Sequence, residues 1–433
     1  MNAYMDKIIV YRKSVNEGLL KEMSGIFREF KGGSFDSQKL VERIYTQINA
    51  LLDIATDYGF DDNLWKSYIA YILAMSENPF TITCEKQGAQ DGTVNEFVKD
   101  DLVCFHEMLN YDFTEIEKAL SIDCFSRITH YHSLVKAERR FNKSVSDAVK
   151  LLAGRLGKSR DADDLYNIVT DFYRERGVGK FGLNKAFRIK KDADEVRLVP
   201  ITNTSDVKMD DIIGYENQKK KLIENTEAFV RGGRANNVLL CGESGTGKST
   251  SIKALLNAFY DRGLRMIEIY KHQFKDLSRV LEMIKDRNYK FIIYMDDLSF
   301  EEFEIEYKFL KAVIEGGLET KPDNVLIYAT SNRRHLIRET WKDRADRDEE
   351  LHTSDTMQEK LSLAARFGLT IYYGRPEKKE FDAIVKGIAS KYPELNLTEE
   401  ELLLEANRWS LRGGGFSGRV AEQMIISKLD GAH

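Results

Sequence analysis

A glycine-rich stretch with one lysine and one serine has the spacing of a polyphosphate-binding loop. From Gly242 to Ser249 the chain reads Gly-Glu-Ser-Gly-Thr-Gly-Lys-Ser, which is the pattern Gly-x-x-x-x-Gly-Lys-Ser. Its glycines let backbone N–H groups point inward at phosphate oxygens. Lys248 is predicted to reach the terminal phosphates, and the Ser249 hydroxyl to bind Mg²⁺. The residues predicted to hold nucleotide here are Glu243, Ser244, Gly245, Thr246, Gly247, Lys248, Ser249 and Thr250.

The residues on either side distinguish this loop from an ordinary glycine-rich turn. An apolar run, Val238–Cys241, precedes it, and a helical spacing of apolar residues begins after Lys248. A strand, a loop and a helix in that order place the anion at the positive end of the helix. We therefore predict a nucleoside triphosphate site.

Two adjacent carboxylates follow a second apolar run. Lys290–Met295 predicts a buried strand, and Asp296 and Asp297 come directly after it. Ligands of open α/β sheets bind at the carboxyl ends of the strands, so these side chains are expected beside the phosphate loop. Asp296 is predicted to hold Mg²⁺ through water, and Asp297 to polarise the water that attacks the terminal phosphate.

An amide and two arginines complete the predicted chemistry. Asn332 follows a later predicted strand and can orient the same water through its amide. Arg366 at a helix end and Arg419 at the start of the last helix can neutralise the charge that develops during phosphoryl transfer. Spacing alone leaves each arginine open to a structural role, and leaves residues 333–335 open to being simply solvated.

Length and composition restrict the remaining possibilities. A chain of 433 residues predicts two or three domains. The longest apolar run, Tyr68–Met75, is far shorter than the roughly 18 residues of a membrane span, and the N-terminus lacks the apolar segment of a signal peptide. The four cysteines show no zinc-binding spacing and fit a reducing compartment. We therefore expect a cytoplasmic protein with no membrane partner.

Charge is unevenly distributed along the first half of the chain. Residues 51–123 carry 4 Lys and Arg against 15 Asp and Glu, whereas residues 127–191 carry 16 against 7. Solvated helix faces that attract one another are the simpler interpretation. The alternative is that 127–191 forms a basic surface for nucleic acid or for an acidic protein partner.

The residue patterns divide the chain into four segments. Residues 1–176 have apolar positions at three- and four-residue steps, which predicts an all-α N-terminal domain. Residues 177–206 begin with three closely spaced glycines and predict a connecting linker. Strands alternate with helices over 207–375, which predicts a parallel sheet covered on both faces. Residues 376–433 predict an α-helical lid.

The residue patterns of 207–375 and of the lid are specific enough to assign each element. The predicted strands are Val238–Cys241, Arg265–Ile269, Lys290–Met295, Asn324–Thr330 and Leu369–Tyr373. The predicted helices are Gln218–Val230, Leu277–Ile284, Glu304–Glu315, Lys378–Ser390, Glu399–Trp409 and Ser417–Lys428.

In content and order, these motifs resemble those of AAA+ ATPases. The matching stretches are Asp-Ile-Ile-Gly at 211–214, the Walker A loop at 242–249, Walker B at Asp296 and Asp297, sensor 1 at Asn332, an Arg-Phe-Gly box at Arg366 and sensor 2 at Arg419. The resemblance implies an α/β P-loop NTPase (AAA+) core with a parallel sheet and a C-terminal helical lid, here preceded by the all-α domain. It also implies that ATP and Mg²⁺ are the cofactors.

A closer resemblance is to the bacterial AAA+ family filed as domain of unknown function 815. The stretches that carry it are Asn225–Phe229, Asp296–Phe300, Leu310–Gly317 and Tyr328–Leu336, and the similarity spans roughly residues 207 to 425. By this resemblance, Ile213 and Gly214 lie beside adenine, and Arg366 acts on the nucleotide of a neighbouring subunit. A homo-oligomer is therefore expected.

One departure from the general AAA+ pattern concerns the second Walker B carboxylate. That position usually holds Glu, and Asp297 is one methylene shorter, which predicts slow hydrolysis or a site that a partner completes. The family resembled shares this Asp-Asp, so we do not expect an inactive enzyme.

Three functions follow from these observations. The leading one is a Mg²⁺-dependent ATPase that couples nucleotide state to movement of the N-terminal helical domain on an unknown client. A nucleotide-gated switch or loader that binds DNA or protein with marginal hydrolysis is the alternative. A structural protein with a vestigial loop fits poorly, because many separate positions agree on nucleotide chemistry.

Overall fold

The computed structural model describes residues 5–133, 142–192, 195–299, 306–315, 321–332 and 365–430. The chain forms two compact units. The N-terminal unit comprises Met1–Lys185 with Pro200–Asn203, and the C-terminal unit comprises Ala186–Val199 with Thr204–His433.

The described residues before Lys185 are helical wherever they have regular structure, apart from one isolated bridge, so this domain is all-α as predicted. Its helices are α1 (Arg12–Val15), α2 (Gly18–Gly32), α3 (Ser37–Tyr58), α4 (Leu64–Met75), α5 (Pro79–Gln87), α6 (Val94–Leu109), α7 (Thr114–Leu120), α8 (Cys124–Thr129), α9 (Lys143–Leu156), α10 (Ala162–Arg176) and α11 (Gly179–Leu183). Local signals set their ends. In α3 the Asp36 carboxylate caps the first turn by accepting from the N–H groups of Gln38 and Lys39. Gly59 ends the helix in the left-handed conformation at φ 64°.

Aromatic side chains fill the core of the helical unit. The rings of Phe113 and Phe125 stack with centroids 4.5 Å apart, and Trp65 meets Phe113 edge-on at 5.5 Å. The indole N–H of Trp65 donates to the backbone oxygen of Met108 at 2.8 Å, so its one polar atom is satisfied. These aromatic side chains therefore pack the core of the helical unit.

The segment 177–206, predicted as a linker, contains regular structure instead. Helix α11 lies in it, followed by strands β1 (Ala186–Asp192) and β2 (Glu195–Pro200). Buried Phe187 and Ile189 alternate with exposed Arg188 and Lys190, which is the period-2 pattern of a strand with one covered face. The linker prediction was wrong for these residues because the charged positions obscured a short alternating pattern.

The C-terminal unit is built on a seven-stranded sheet in the order β2-β1-β4-β5-β6-β3-β7. Its remaining strands are β3 (Val238–Gly242), β4 (Leu264–Glu268), β5 (Lys290–Met295), β6 (Val325–Ser331) and β7 (Leu369–Tyr373). Strands β1, β4, β5, β6, β3 and β7 pair in parallel. Strands β3 and β6 are buried at every position, which is why they read as continuous apolar runs. The helices of this part are α12 (Glu216–Val230), α13 (Lys248–Phe259), α14 (Leu277–Ile284) and α15 (Glu306–Glu315).

Strand order, rather than sequence order, assembles the candidate site. Strand β6 lies between β3 and β5, with Cys241 opposite Ser331 and Met295 opposite Ala329. Because parallel strands all end at the same edge, the residues that follow β3, β5 and β6 converge there.

Three helices after the sheet form the lid. They are α16 (Lys378–Ala389), α17 (Glu399–Arg412) and α18 (Gly418–Asp430). Phe381, Leu402 and Met424, one from each helix, belong to one buried apolar cluster. Thr398 starts α17 with a capping box in which Glu401 reaches back to its N–H.

Two predictions about the whole chain can be compared with the described residues. None of the helices there is long and apolar enough to cross a bilayer. All four cysteines are buried thiols outside any disulfide. Burial raises the pKa of Cys84 and Cys124 to about 11, which makes these two thiols unreactive.

Candidate functional site

The phosphate loop depends on glycine at positions where a side chain does not fit. Gly242, Gly245 and Gly247 have φ values of 137°, 76° and 89°, a region that other residues rarely adopt. A Cβ on Gly242 would lie 2.0 Å from the backbone oxygen of Tyr373. The next residue, Glu243, donates its N–H to that same oxygen at 3.1 Å. The edge strand β7 therefore sets the start of the loop.

Lys248 is held in the loop by three acceptors. Its ammonium donates to the backbone oxygens of Gly242 at 3.0 Å and Glu243 at 2.6 Å, and to Oδ1 of Asn332 at 3.0 Å. An ammonium group has three N–H bonds, so each is used. Only 5% of Lys248 is exposed, and burial lowers the pKa of its side chain. A polyphosphate would offer this desolvated cation stronger acceptors than the neutral oxygens it now contacts.

Asp296 receives two short hydrogen bonds on one oxygen. The hydroxyls of Ser249 and Thr330 each donate to Oδ1 at 2.6 Å. Burial alone would raise the pKa of Asp296, but the hydrogen bonds from Ser249 and Thr330 hold it below its ordinary value. This carboxylate is thus ionised at neutral pH and oriented next to the Ser249 hydroxyl.

Asp297 has a left-handed backbone, with φ 50°. Its N–H donates to the Thr330 hydroxyl at 2.9 Å, and its Oδ1 accepts from the amide nitrogen of Asn332 at 2.8 Å. Asn332 therefore joins the two sides of the site, because its oxygen contacts Lys248 and its nitrogen contacts Asp297. Asp tolerates positive φ better than most residues do, Glu included.

Arg419 lies against the phosphate loop from the lid. Its guanidinium donates to the Ser244 hydroxyl at 3.2 Å, and its backbone N–H lies 3.4 Å from the Gly245 oxygen. A Cβ on Gly245 would meet Cβ of Arg419 at 3.0 Å, so the lid touches the loop closely. Glu243 points elsewhere and forms an ion pair with Arg375 at 3.5 Å.

An apolar wall continues the site away from the phosphate loop. The cavity measures about 890 Å³, and the residues that line its apolar part are Val207, Ile212, Ile213, Ile384, Ile388 and Tyr392. Ile384 and Ile388 are one turn apart on α16, so the lid supplies one side of the wall. Gly214, at φ 80°, shapes the turn after Ile213 without lining the cavity. An ion pair of 2.7 Å between Lys391 and Asp211 joins the lid to the opposite rim.

Arg366 lies away from this cavity. Strands β3 and β7 run in parallel register from Val238 beside Leu369 to Gly242 beside Tyr373. Arg366 precedes Leu369, so it lies at the edge where the strands begin, while the phosphate loop leaves the edge where they end. At about 3.3 Å per residue, the length of β7 separates the two edges by roughly 16 Å.

The structure thus brings most of the predicted site residues together and sets three apart. Around the cavity lie Ile213, Ser244, Gly245, Thr246, Gly247, Lys248, Ser249, Thr250, Asp296, Asp297, Asn332 and Arg419. Gly214, Glu243 and Arg366 do not line it. Residues 333–335, whose role the sequence left open, lie outside the described residues.

Sequence reasoning missed Thr330 and the pair Lys391–Asp211. Thr330 stands within the stretch Ala-Thr-Ser-Asn, where only the Asn was assigned a role. The pair joins residues that are 180 positions apart, so no local pattern could reveal it.

The oxygen-rich end of the cavity fits Mg²⁺. A hydroxyl and an ionised carboxylate are ligands that this hard cation prefers, directly or through water. The hydroxyl of Tyr294 is buried beside the Ser249 hydroxyl and the Asp296 carboxylate.

A parallel sheet with a phosphate loop after β3, two carboxylates after β5 and a three-helix lid defines an AAA+ P-loop ATPase fold. The chain belongs to the family described as Protein of unknown function (DUF815), whose model matches residues 182–432. That match begins before β1, so the family region includes the strands missed in 177–206.

Solved structures with a similar fold include RuvB, the Holliday junction branch migration motor of Thermotoga maritima. It is 19% identical, with 51% of this chain and 63% of that chain covered and a TM-score of 0.36. A point mutant of the same protein is 20% identical, with 51% and 64% covered and a TM-score of 0.36. This chain therefore spans less than two thirds of either. None of the curated proteins matches the sequence.

Proposed function

We propose that this protein binds ATP with Mg²⁺ and hydrolyses it. The observation that supports this most directly is the hydrogen-bonded chain from Lys248 through Asn332 to Asp297. It links a cation suited to the terminal phosphate with a carboxylate suited to an attacking water. A phosphate loop with a purely structural role would need no carboxylate at the other end of this series of hydrogen bonds.

The roles of the residues follow from their positions. Lys248 binds the β and γ phosphates after it gives up the oxygen of Asn332. Asn332 is then free to orient the attacking water, and Asp297 accepts that water's proton. Arg419 approaches the phosphates from the lid and neutralises the charge that develops on them.

Ser249 and Asp296 hold Mg²⁺ in this proposal, and the metal, when bound, neutralises phosphate charge. Adenine lies between Ile213 and the lid residues Ile384 and Ile388, where an apolar wall covers both sides of a flat base. Lid position and nucleotide state are thereby coupled, because one ligand contacts both.

Arg366 acts in this proposal on the nucleotide of a neighbouring copy. Its place at the opposite edge of the sheet, roughly 16 Å from the loop of its own chain, supports a role in trans. An arginine supplied to a transferring phosphoryl group accelerates the reaction by several orders of magnitude. The working form is then a homo-oligomer.

The helical N-terminal unit is proposed to act on a client, either a protein or a nucleic acid. Of the basic residues in 127–191, Arg127, Arg155, Arg160 and Arg174 form ion pairs with nearby acidic residues. These pairs reduce the charge available to a nucleic acid. The alternative of a DNA-binding switch with marginal hydrolysis therefore stays a prediction, to be tested by binding of a DNA probe at low salt.

Two measurements test the proposal. Titration calorimetry should register ATP binding, and phosphate release should show turnover whose rate per subunit rises with protein concentration.

Arg366→Ala and Lys248→Ala should each be inactive alone. Mixed, they should recover part of the activity, because the first variant supplies an intact loop and the second an intact arginine. If wild-type protein bound ATP but released no phosphate, the hydrolase proposal would fail. If the mixture stayed inactive while the wild type turned over, only the trans role would fail.

A further inference from the structure

Thr330 lies at the centre of the site and has no role in the function proposed above. It is the sixth residue of β6, and only 2% of its surface is exposed. The register that places Tyr328 beside Tyr294 and Ala329 beside Met295 brings the next residue of β6 beside Asp296. Its hydroxyl therefore lies between the Asp296 carboxylate and the backbone N–H of Asp297.

The two hydrogen-bond partners of the Thr330 hydroxyl fix the direction in which its proton points. Asp296 is ionised and can only accept, so the Thr330 proton must go to Oδ1 of Asp296, at 2.6 Å. The N–H of Asp297 can only donate, so a lone pair of the same oxygen receives it, at 2.9 Å. Thr330 thus binds the side chain of one carboxylate residue and the backbone of the next.

The backbone of Thr330 acts on the same turn. Its carbonyl oxygen accepts from the N–H of Leu298 at 2.7 Å. The peptide groups on both sides of Asp297 are therefore bound to Thr330, and the left-handed conformation at φ 50° lies between these two bonds. Held in this way, the Asp297 carboxylate stays within reach of Asn332.

The same contact would affect Mg²⁺ binding, because Asp296 is the carboxylate proposed to hold the metal. In the structure, Ser249 and Thr330 share the task of orienting Oδ1 of Asp296. If the Ser249 hydroxyl becomes a metal ligand through its oxygen, it can still donate its proton to Oδ1, and Thr330 holds the same oxygen from β6. Groups that orient ligands in this way change metal affinity or activity by 10- to 100-fold when removed.

We propose that Thr330 is a positioning residue that couples the metal-binding carboxylate Asp296 to the water-polarising carboxylate Asp297. The coupling depends on its hydroxyl and not on its shape. This inference depends on the proposed ATP and Mg²⁺ chemistry, but it can be tested separately through metal-dependent binding.

Two substitutions at position 330 separate the hydroxyl from the shape of the side chain. Thr330→Val keeps the branched shape and removes the hydroxyl, while Thr330→Ser keeps the hydroxyl. We expect T330V to bind ATP in EDTA like the wild type, since the phosphate loop is untouched. It should lose about 10-fold or more of the affinity gained on adding Mg²⁺, and turnover should fall by about 10- to 100-fold. T330S should stay within about threefold of the wild type in its Mg²⁺-dependent gain in ATP affinity and in its turnover rate.

Thr226→Val is the matched control for loss of a buried hydroxyl. Thr226 lies in α12, fully buried, and its hydroxyl contacts the Leu222 oxygen and the Tyr328 hydroxyl, away from the carboxylates. T226V should be destabilised while its Mg²⁺-dependent gain in ATP affinity stays normal.

The outcomes separate this inference from the function on which it depends. A Mg²⁺-dependent gain for T330V equal to that of the wild type would overturn the coupling role. A T330S variant that loses as much Mg²⁺-dependent ATP affinity as T330V would also overturn it. The shape of the side chain, and not its hydroxyl, would then account for the loss. If the wild type shows no turnover, the proposed hydrolysis fails, and the comparison of ATP affinity with and without Mg²⁺ still decides the role of Thr330.

Discussion

Nζ of Lys248 lies 3.0 Å from Oδ1 of Asn332, although the two residues are 84 positions apart in the chain. The contact occurs because β6 lies directly beside β3, so the residues that follow the two strands meet at one edge. It satisfies a buried ammonium group with a neutral amide oxygen. A triphosphate would replace that oxygen and release the amide, so the contact links arrival of the phosphate to rearrangement of Asn332.

Lys248→Ala should abolish nucleotide binding. The variant removes a desolvated cation that no other residue at that point of the loop replaces, and hydrogen bonds to charged groups contribute about 1.5–3 kcal/mol each. We expect at least a 100-fold loss of ATP affinity in titration calorimetry. Lys220→Ala, an exposed lysine on α12, is the control and should bind normally. Normal ATP binding by K248A would contradict the assignment of the loop.

Asp297→Asn should preserve binding and stop turnover. Asn tolerates the left-handed backbone as Asp does, and its side-chain oxygen can still accept from Asn332. What it lacks is the charge that accepts a proton, and general bases contribute about 10²–10⁴-fold to rate. Calorimetry and phosphate release on the same preparation measure the two effects. Normal turnover would show that Asp297 is not the base.

Asp297→Glu should also slow hydrolysis, although Glu is the usual residue at this position in AAA+ proteins. Glu is less tolerant of φ 50°, and its carboxylate would extend past the point where Asn332 donates at 2.8 Å. We expect a turnover rate below that of the wild type with ATP affinity little changed. A faster enzyme would mean that the short side chain, and not the backbone conformation, limits the rate.

Gly242→Ala should unfold the loop region. Its Cβ would lie 2.0 Å from the backbone oxygen of Tyr373, and φ 137° is unfavourable for Ala. Overpacking and backbone strain together should lower the free energy of unfolding, measured by chemical denaturation, by about 3 kcal/mol or more. Gly263→Ala is a matched control, since Gly263 has φ 91° but no atom within 4 Å of the added Cβ. It should cost only the strain, about 1–2 kcal/mol. Equal losses would mean that the steric contact with Tyr373 is relieved without cost.

Lys321 should give the stability of the protein a pH dependence in the alkaline range. Burial lowers the pKa of its amine to about 8 in the folded state, against about 10.4 when unfolded. Between these values the unfolded chain binds more protons, so stability rises with pH, by up to about 3 kcal/mol. Lys321→Met should remove this rise, and Lys220→Met, at an exposed position, should keep it. Denaturation at pH 7, 8, 9 and 10 measures the difference. An unchanged rise in K321M would assign it to another group.

The elements around the site could be predicted because their patterns are local. An apolar run between charged residues bounded β5 at Lys290–Met295, and a helical spacing bounded α14 at Leu277–Ile284. Strands β1 and β2 were missed because Lys190, Lys191 and Asp192 gave the end of β1 the composition of a loop. The intrinsic strand propensity of the residues therefore predicts a strand poorly where its end is charged and exposed.

The contacts inside the site depend on strand order, which the residues of any one strand do not encode. Placing Thr330 beside Asp296 requires knowing that β6 pairs with β5 and in which register. A shift of one residue would turn the Thr330 side chain to the other face of the sheet. The Lys391–Asp211 pair likewise depends on how the lid packs on the first turn of the ATPase region.

The backbone oxygen of Tyr373 packs against Gly242 and accepts the N–H of Glu243, and within two residues the chain leaves the sheet toward the lid. The first peptide of the phosphate loop is therefore hydrogen-bonded to the last residue of β7, the strand that leads into the lid. If an incoming phosphate displaced the loop, this hydrogen bond would transmit the displacement to the start of the lid. The loop and the start of the lid are thus joined by this peptide contact as well as by the contacts of Arg419 with Ser244 and Gly245.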